Sequence, residues 1–314
     1  MSEKIKVVAI VGPTASGKTK LGVEAAKKFN GEIISADSMQ IYKGMAIATA
    51  KPTEEETEGI PHHLIDFLDL NKSFSAADYV EMAAPVVKDI YDRGKLPIIV
   101  GGAGLYVDSL LKNVKFGKTD SDENLRQELY KTAEEKGNEY LHNMLKELDP
   151  KAAESIHPNN VVRVVRAIEV CKLSGITFTE MKKRSLSEES PYDVLWIGLG
   201  FSDRSVLYDR INKRVDKMVQ DGIVHEVEKA LESGKMPTAG NAIGLKEWMP
   251  YFEKKASLEE CIEKVKLETR RYAKRQLTWF RRVDGIQWVE TDKFDSFQKI
   301  IENIKNIIAK SEIM

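Results

Sequence analysis

Apolar positions along this chain change spacing from one segment to the next, and the change separates strands from helices. Short runs rich in Val, Ile and Leu occupy 7–11, 96–100 and 193–201. Runs of that kind fit strands buried on both faces. Between them the period becomes three to four: Leu21, Ala25 and Phe29 put one stripe on a helix over 18–29. The same pattern predicts helices over 76–93 with Gly94 as the stop, from 105 to 111, over 204–220 ending at Gly222, over 224–233 ending at Gly234, and over 258–282. A short strand is expected over 32–35, ended by Asp37, and an edge strand over 286–289 before a terminal helix. Strands alternating with helices imply α/β architecture, a parallel sheet flanked by helices on both faces. Ligands of such sheets bind at the carboxyl ends of the strands. The segments after the first, second and 96–100 strands should therefore meet at one edge.

The pattern changes near residue 118. From 118 to 190 the chain is charged, with helical stripes at Leu125, Leu129, Ala133 and at Leu141, Leu145, Leu148, and no convincing strand. Asp149-Pro150 and the His157 to Asn160 segment interrupt the helices, 161–173 forms another, and 185–191 has linker composition. The expected organisation is a core domain of 1–117 and 191–314 carrying a small all-helical insertion domain over 118–190.

Composition narrows the classes. Of 314 residues, 42% are hydrophobic and 31% charged, as in ordinary globular proteins. No apolar run approaches the roughly 20 residues that span a bilayer. With no signal peptide evident, a cytoplasmic protein without a membrane partner is expected. Cys171 and Cys261 lack metal-ligand spacing and read as inert thiols. The net charge of −1 argues against a nucleic-acid partner, but the distribution does not. Residues 266–282 hold seven Lys or Arg against one Glu, and on a helix Arg271, Lys274, Arg275, Thr278 and Arg282 form one stripe with Gln276 and Trp279 beside it. Such a stripe suits phosphate-backbone contacts with an aromatic for stacking.

The chemistry starts at Gly12, Pro13, Thr14, Ala15, Ser16, Gly17, Lys18 and Thr19, which fit G-x-x-x-x-G-K-[ST] between a strand and a helix. Glycines let backbone N–H groups converge on phosphate oxygens at a helix N-terminus, Lys18 adds charge, and the Thr19 hydroxyl suits a magnesium ion. The loop specifies a diphosphate or triphosphate without naming a reaction. Asp37 is either a turn residue or a carboxylate that holds magnesium through water or takes a proton. His62-His63 reads as a loop beside the core. Arg210 and Arg214 share a helix face that sequence alone leaves solvated.

Seven segments in order, GPTASGKT, ISADSMQIYKGMAIATAKPT, HHLID, SFSAADY, VGGAGLYV, RVVRAIEV and AKRQLTWFR, resemble the bacterial tRNA dimethylallyltransferases over nearly the whole chain. The resemblance implies a P-loop NTPase-like core and an insertion that grips the tRNA anticodon stem-loop. The phosphate loop would hold the diphosphate of dimethylallyl diphosphate, with Mg2+ on Thr19. Asp37 would be the base for N6 of the adenosine next to the anticodon, and Lys18 and Arg214 would neutralise the leaving diphosphate. RNA contacts would come from Asp37, Ser38, Met39 and Gln40, from Ala103, and from Val161, Val162, Arg163, Val164 and Val165. They would also come from Gly240, Asn241, Ala242, Ile243, Gly244 and Leu245, and from Lys274, Arg275, Gln276, Leu277, Thr278, Trp279, Phe280 and Arg281. A monomer is expected. Ala103 departs from the family, which carries threonine there. Adenine N6 is a weak nucleophile, so positioning and charge neutralisation would supply most of the rate. Two other enzymes share the loop: a prenyltransferase of free AMP or ADP, which needs neither insertion nor basic helix, and an ATP-dependent small-molecule kinase. A nucleotide-gated RNA-binding protein is the non-enzymatic alternative.

Overall fold

A computed structural model describes residues 4–117, 122–186 and 188–313. The chain divides into two compact units, Met1–Leu111 with Pro191–Met314, and Lys112–Ser190. The first unit opens with β1 (Ile5–Val11), α1 (Lys18–Phe29), β2 (Gly31–Ala36), α2 (Glu54–Thr57), β3 (His62–His63), α3 (Ala76–Asp92), β4 (Leu96–Gly101) and α4 (Gly104–Leu111). The second is all helical: α5 (Glu123–Lys136), α6 (Asn138–Leu148), α7 (Pro150–Ser155), α8 (Val161–Ser174) and α9 (Phe178–Ser185). The chain then returns with β5 (Tyr192–Gly200), α10 (Arg204–Gln220), α11 (Ile223–Glu232), α12 (Met249–Phe252), α13 (Leu258–Phe280), β6 (Gln287–Glu290) and α14 (Phe297–Ala309).

Six parallel strands stand in the order β3-β2-β4-β1-β5-β6. The central strand shows why its sequence is an unbroken apolar run. Val7, Ala9 and Val11 belong to the core that also holds Tyr79, Val87 and Val107 of α3 and α4. Val8 and Ile10 point to the other core, with Leu21 and Val23 of α1 and Ile300 and Ile304 of α14. Each such side chain removed from water contributes about 1.5–3 kcal/mol, so both faces demand apolar residues. This two-sided burial fixes where the strand ends lie, and the functional loops start there.

The α/β pattern, α1 and α10 sit as the sequence predicts. The His62-His63 pair does not: it forms the two-residue edge strand β3 beside Ile33 and Ile34. No apolar pattern announces a strand of two residues, and partners outside it hold it in place. His63 Nε2 lies 2.8 Å from the Glu32 carboxylate, which also takes Arg93 and Lys95. Helices α2, α7, α9 and α12 are too short to show a period. In the helical unit, Leu129, Ala133, Leu141 and Leu145 are buried, whereas Leu148 turns outward. Residues 118–121, where the insertion was expected to begin, and Ser187 of the expected linker lie outside the described residues.

Candidate active site

The loops after β1, β2 and β4 converge on one cleft of about 390 Å³, within the size range of small-ligand sites. Thr14 to Thr19, Asp37 to Gln40, Gly101, Arg214, and residues 241–244 line it. The phosphate loop enters α1 through Gly17, at φ 88° and without a side-chain cap. A residue with a Cβ is strained in that left-handed conformation. The uncapped start leaves the first-turn N–H groups of α1 open to an anion, at the positive end of the helix dipole. Phe297 of α14 packs under Gly17, and Lys20 lies 5.1 Å over its ring.

Three charged groups define the chemistry. Lys18 Nζ donates to the Pro13 carbonyl at 2.6 Å, spanning its own loop. Removal from water, helped by the Arg214 guanidinium and opposed by Asp37, pulls the Lys18 ammonium down to about 7. Removal from water also lowers Arg214 from its ordinary value, against the pull of Asp37 and Glu56. Two half-buried basic groups acting on each other in one cleft suit an anion that neutralises both. Asp37 Oδ1 accepts from the backbone N–H of Met39 at 2.9 Å and of Gln40 at 3.3 Å, which aims the side chain. Its Oδ2 has no hydrogen-bond partner among the described residues and is free to accept a proton. With the Thr19 hydroxyl in the same cleft, the site offers two hard oxygens for a magnesium ion that also takes phosphate oxygens.

The expected site residues separate under this geometry. Arg214 turns into the cleft, whereas Arg210, on the same face of α10, stacks over Phe201 at 5.2 Å. The expectation of a solvated face is therefore corrected: Arg210 lies over an aromatic ring and Arg214 lines the cleft. Gln40 Nε2 donates to the carbonyls of Thr49 and Ala50 and so supports the cleft wall. On α13, Arg271, Lys274, Arg275 and Thr278 are exposed as one stripe; the helix ends at Phe280, so Arg281 and Arg282 are exposed in the turn beyond it, and Arg275 also reaches the cleft. Leu277 packs into a small cluster with Ile211. Several expected RNA contacts are corrected. Phe280 and Leu245 are core side chains of the first unit, and Val164 and Val165 of the second. Val161 is half-buried, and Val162 and Arg163 are exposed at the start of α8. Gln276 is 5% exposed and bonded to backbone at both ends. Trp279 lies against Gly104 and donates to Asp108 Oδ2 at 3.0 Å, which fixes the ring instead of leaving it free to swing onto a base. Ala103 donates its N–H to the Ala36 carbonyl at 3.0 Å and precedes α4. Gly240 stands beside the cleft residues Asn241, Ala242, Ile243 and Gly244.

Sequence reasoning missed three groups. His62 faces the cleft: its Nδ1 lies 2.8 Å from the Ile60 carbonyl, so that nitrogen carries the proton and the bare Nε2 is left without a partner. Removal from water keeps the ring below its ordinary value. Tyr272 lines the cleft beside Gln276, its phenol raised by removal from water and by Asp37. Glu226 of α11 accepts from the N–H groups of Ile47 at 2.8 Å and Ala48 at 2.7 Å, pinning a loop that lines the cleft. Only a fold brings Glu226 to a loop nearly 180 residues away. Among the described residues no three His, Cys, Asp or Glu side chains group as a metal cage, and no helix is long and apolar enough to cross a membrane.

Comparison with known proteins bears on this site. A family described as IPP transferase matches residues 40–283. A tRNA dimethylallyltransferase of Acetivibrio thermocellus is 52% identical over 96% of this chain and 97% of its own. The solved tRNA isopentenylpyrophosphate transferase of Bacillus halodurans is 48% identical, with a TM-score of 0.73 over 98% of this chain and 96% of that one. A eukaryotic dimethylallyltransferase solved acting on tRNA is 31% identical, with a TM-score of 0.79 over 98% of this chain and 81% of its own.

Proposed function

The chain belongs to the IPP transferase family, and from that premise we propose that it transfers the dimethylallyl group of dimethylallyl diphosphate to N6 of the adenosine at position 37 of tRNA. The observation that carries the reading is the meeting of the phosphate loop, Lys18, Arg214 and the free oxygen of Asp37 in one cleft. The diphosphate lies on the open N–H groups at the start of α1, with Lys18 and Arg214 against its charge. The N6 lone pair forms the bond to C1 of the allyl group, the C1–O bond breaks, and its electron pair leaves with the diphosphate. The proton released from N6 passes to Asp37 Oδ2. A magnesium ion, when bound, would supply further neutralisation of the diphosphate, and Thr19 is the residue that would hold it.

The adenine reaches the cleft only when it is extruded from its stack, which costs a few kcal/mol and less in a loop than in a duplex. Arg271, Lys274, Arg275, Thr278 and Arg281 offer the RNA backbone a basic face, Val162 and Arg163 an exposed helix start, and 240–244 a rim to the cleft. The helical unit grips the anticodon stem-loop, and the protein works as a monomer in the cytoplasm. The test is incubation with labelled dimethylallyl diphosphate and either AMP or an anticodon stem-loop. Label is expected on the stem-loop alone. Prenylation of AMP, or release of ADP from ATP with transfer of phosphate, would overturn the reading.

A further inference from the structure

Gln276 sits far from any surface role that the basic stripe of α13 would suggest. Its side-chain oxygen accepts the Thr14 backbone N–H at 2.9 Å, and its amide nitrogen donates to the Gly102 carbonyl at 3.1 Å. One end of the amide therefore holds the loop after β1 and the other the loop after β4. We propose that Gln276 is a positioning residue that braces the phosphate loop in the shape that receives diphosphate, and that it does not contact RNA. The proposal rests on the prenyl-transfer reading above for the identity of the anion.

Three observations carry it. Burial leaves 5% of the residue exposed, so its amide is held by protein partners, the two backbone groups with the Tyr272 phenol beside them, and not by water. A Cβ on Gly102 would lie 2.0 Å from the amide nitrogen, so the brace closes only where residue 102 has no side chain. One turn further along α13, Trp279 covers Gly104, where a Cβ would lie 2.4 Å from the indole, and bonds Asp108. That contact sets the height of α13 against α4 and so places the amide. With Thr14 N–H already taken, the phosphate oxygens fall to the N–H groups beyond it, towards Gly17 and the start of α1. Without the brace that N–H is unpaired and the loop can close on itself around the Lys18–Pro13 bond.

The test titrates inorganic diphosphate with magnesium, and separately an anticodon stem-loop, into the wild-type protein and two variants. Gln276→Met keeps the side-chain length and removes both hydrogen bonds. Gly102→Ala drives the amide away while leaving α13 intact. Each is expected to weaken diphosphate binding about tenfold and to change stem-loop affinity less than twofold. In steady state the same variants should raise KM for the prenyl donor more than they lower kcat. Diphosphate affinity within twofold of wild type, or a loss confined to the stem-loop, overturns the brace. If Gln276→Met melts below the assay temperature, Gly102→Ala decides alone. Failure of the wild-type protein to bind diphosphate would instead overturn the proposed function.

Discussion

The two units handle buried charge in opposite ways. In the helical unit Glu169 is fully buried and its oxygens are taken by Arg126, Arg166 and the N–H of Asp122. Asp149 likewise accepts from Ala152 and twice from Thr179. In the cleft, Lys18 and Arg214 lie near each other and Asp37 keeps one oxygen free. Ser16 Oγ and His62 Nε2 are buried without partners. Groups satisfied within the fold hold the fold, whereas groups left unsatisfied are held ready for something that the fold does not contain. Among the described residues of the first unit, Tyr79 Oη, Glu247 Oε1 and Trp248 Nε1 are also buried without a hydrogen-bond partner but lie outside the cleft, so it is the coincidence of unpaired atoms with the phosphate loop that marks the site.

The largest expected effect breaks this contrast at its centre. Asp37→Asn keeps the oxygen that accepts from Met39 but cannot take a proton from N6. Transfer to a stem-loop should fall about a thousandfold, in the range of general-base removal. Stem-loop affinity and melting temperature should stay near wild type. Measurable transfer within tenfold of wild type would remove Asp37 as the base.

Next in size is a pH effect from Lys18. Its ammonium, lowered to about 7 by burial and Arg214, should regain a high value when diphosphate supplies an anionic partner. Binding above pH 7 therefore takes up a proton, and affinity should fall towards tenfold for each pH unit above that. The stability of the free protein should show the opposite sign. A lysine lowered on folding binds fewer protons than the unfolded chain above pH 7, so on this account stability rises with pH there. Calorimetry in buffers of different ionisation enthalpy should give an uptake of close to one proton at pH 8.5, and Lys18→Met should abolish it.

The helical unit supplies the control. Burial alone would push Glu169 up, but Arg166, Arg126 and the Asp122 N–H outweigh it and hold the carboxyl below its ordinary value. A lowered carboxyl contributes stability that is complete above its unfolded pKa and lost as pH falls through its folded one. Glu169→Ala should cost about 2 kcal/mol, because both arginines are partly exposed and can turn to water. Thermal melts from pH 7 down to pH 3 should show a shallower decline in the variant. Chemistry at the cleft should respond far less than stability does.

What could be read from the sequence follows the same division. The phosphate loop is local: strand, glycines, lysine and helix are contiguous, so residues 5–29 declare both structure and chemistry. The sheet was legible because burial on two faces leaves unbroken apolar runs. Asp37 was placed by the rule that strand ends carry ligands, with its role left open. Arg214 could not be separated from Arg210 by spacing, because what differs is the partner each meets: Phe201 for one and the cleft for the other. The charged members of the basic stripe are exposed, whereas Gln276 and Trp279 are held by the loops at Gly102 and Gly104, which lie far away along the chain. Glu226 and His62 matter through backbone atoms and an unfilled lone pair, neither of which has a sequence signature.

The smallest expected effect concerns how helices begin. Side chains cap helices in both units: Asp122, Asp149 and Thr177 begin α5, α7 and α9, and Ser75, Asp203 and Ser257 begin α3, α10 and α13, whereas α6 and α8 start without one. In the first unit α1 starts at Gly17 with no side-chain cap, which suits an anion, and α4 follows Ala103, which has no oxygen to offer. The Ala103 carbonyl accepts from Tyr106 and Val107, so the turn is formed and only the cap is missing. Ala103→Thr should therefore add about 1 kcal/mol of stability, visible as a raised melting temperature. If α4 is uncapped merely because alanine is tolerated there, transfer activity will hold or rise. If instead its first N–H groups serve the RNA, the new hydroxyl will compete for them and activity will drop as stability climbs. That opposition would make the start of α4, like that of α1, a place where backbone N–H groups are kept for a ligand.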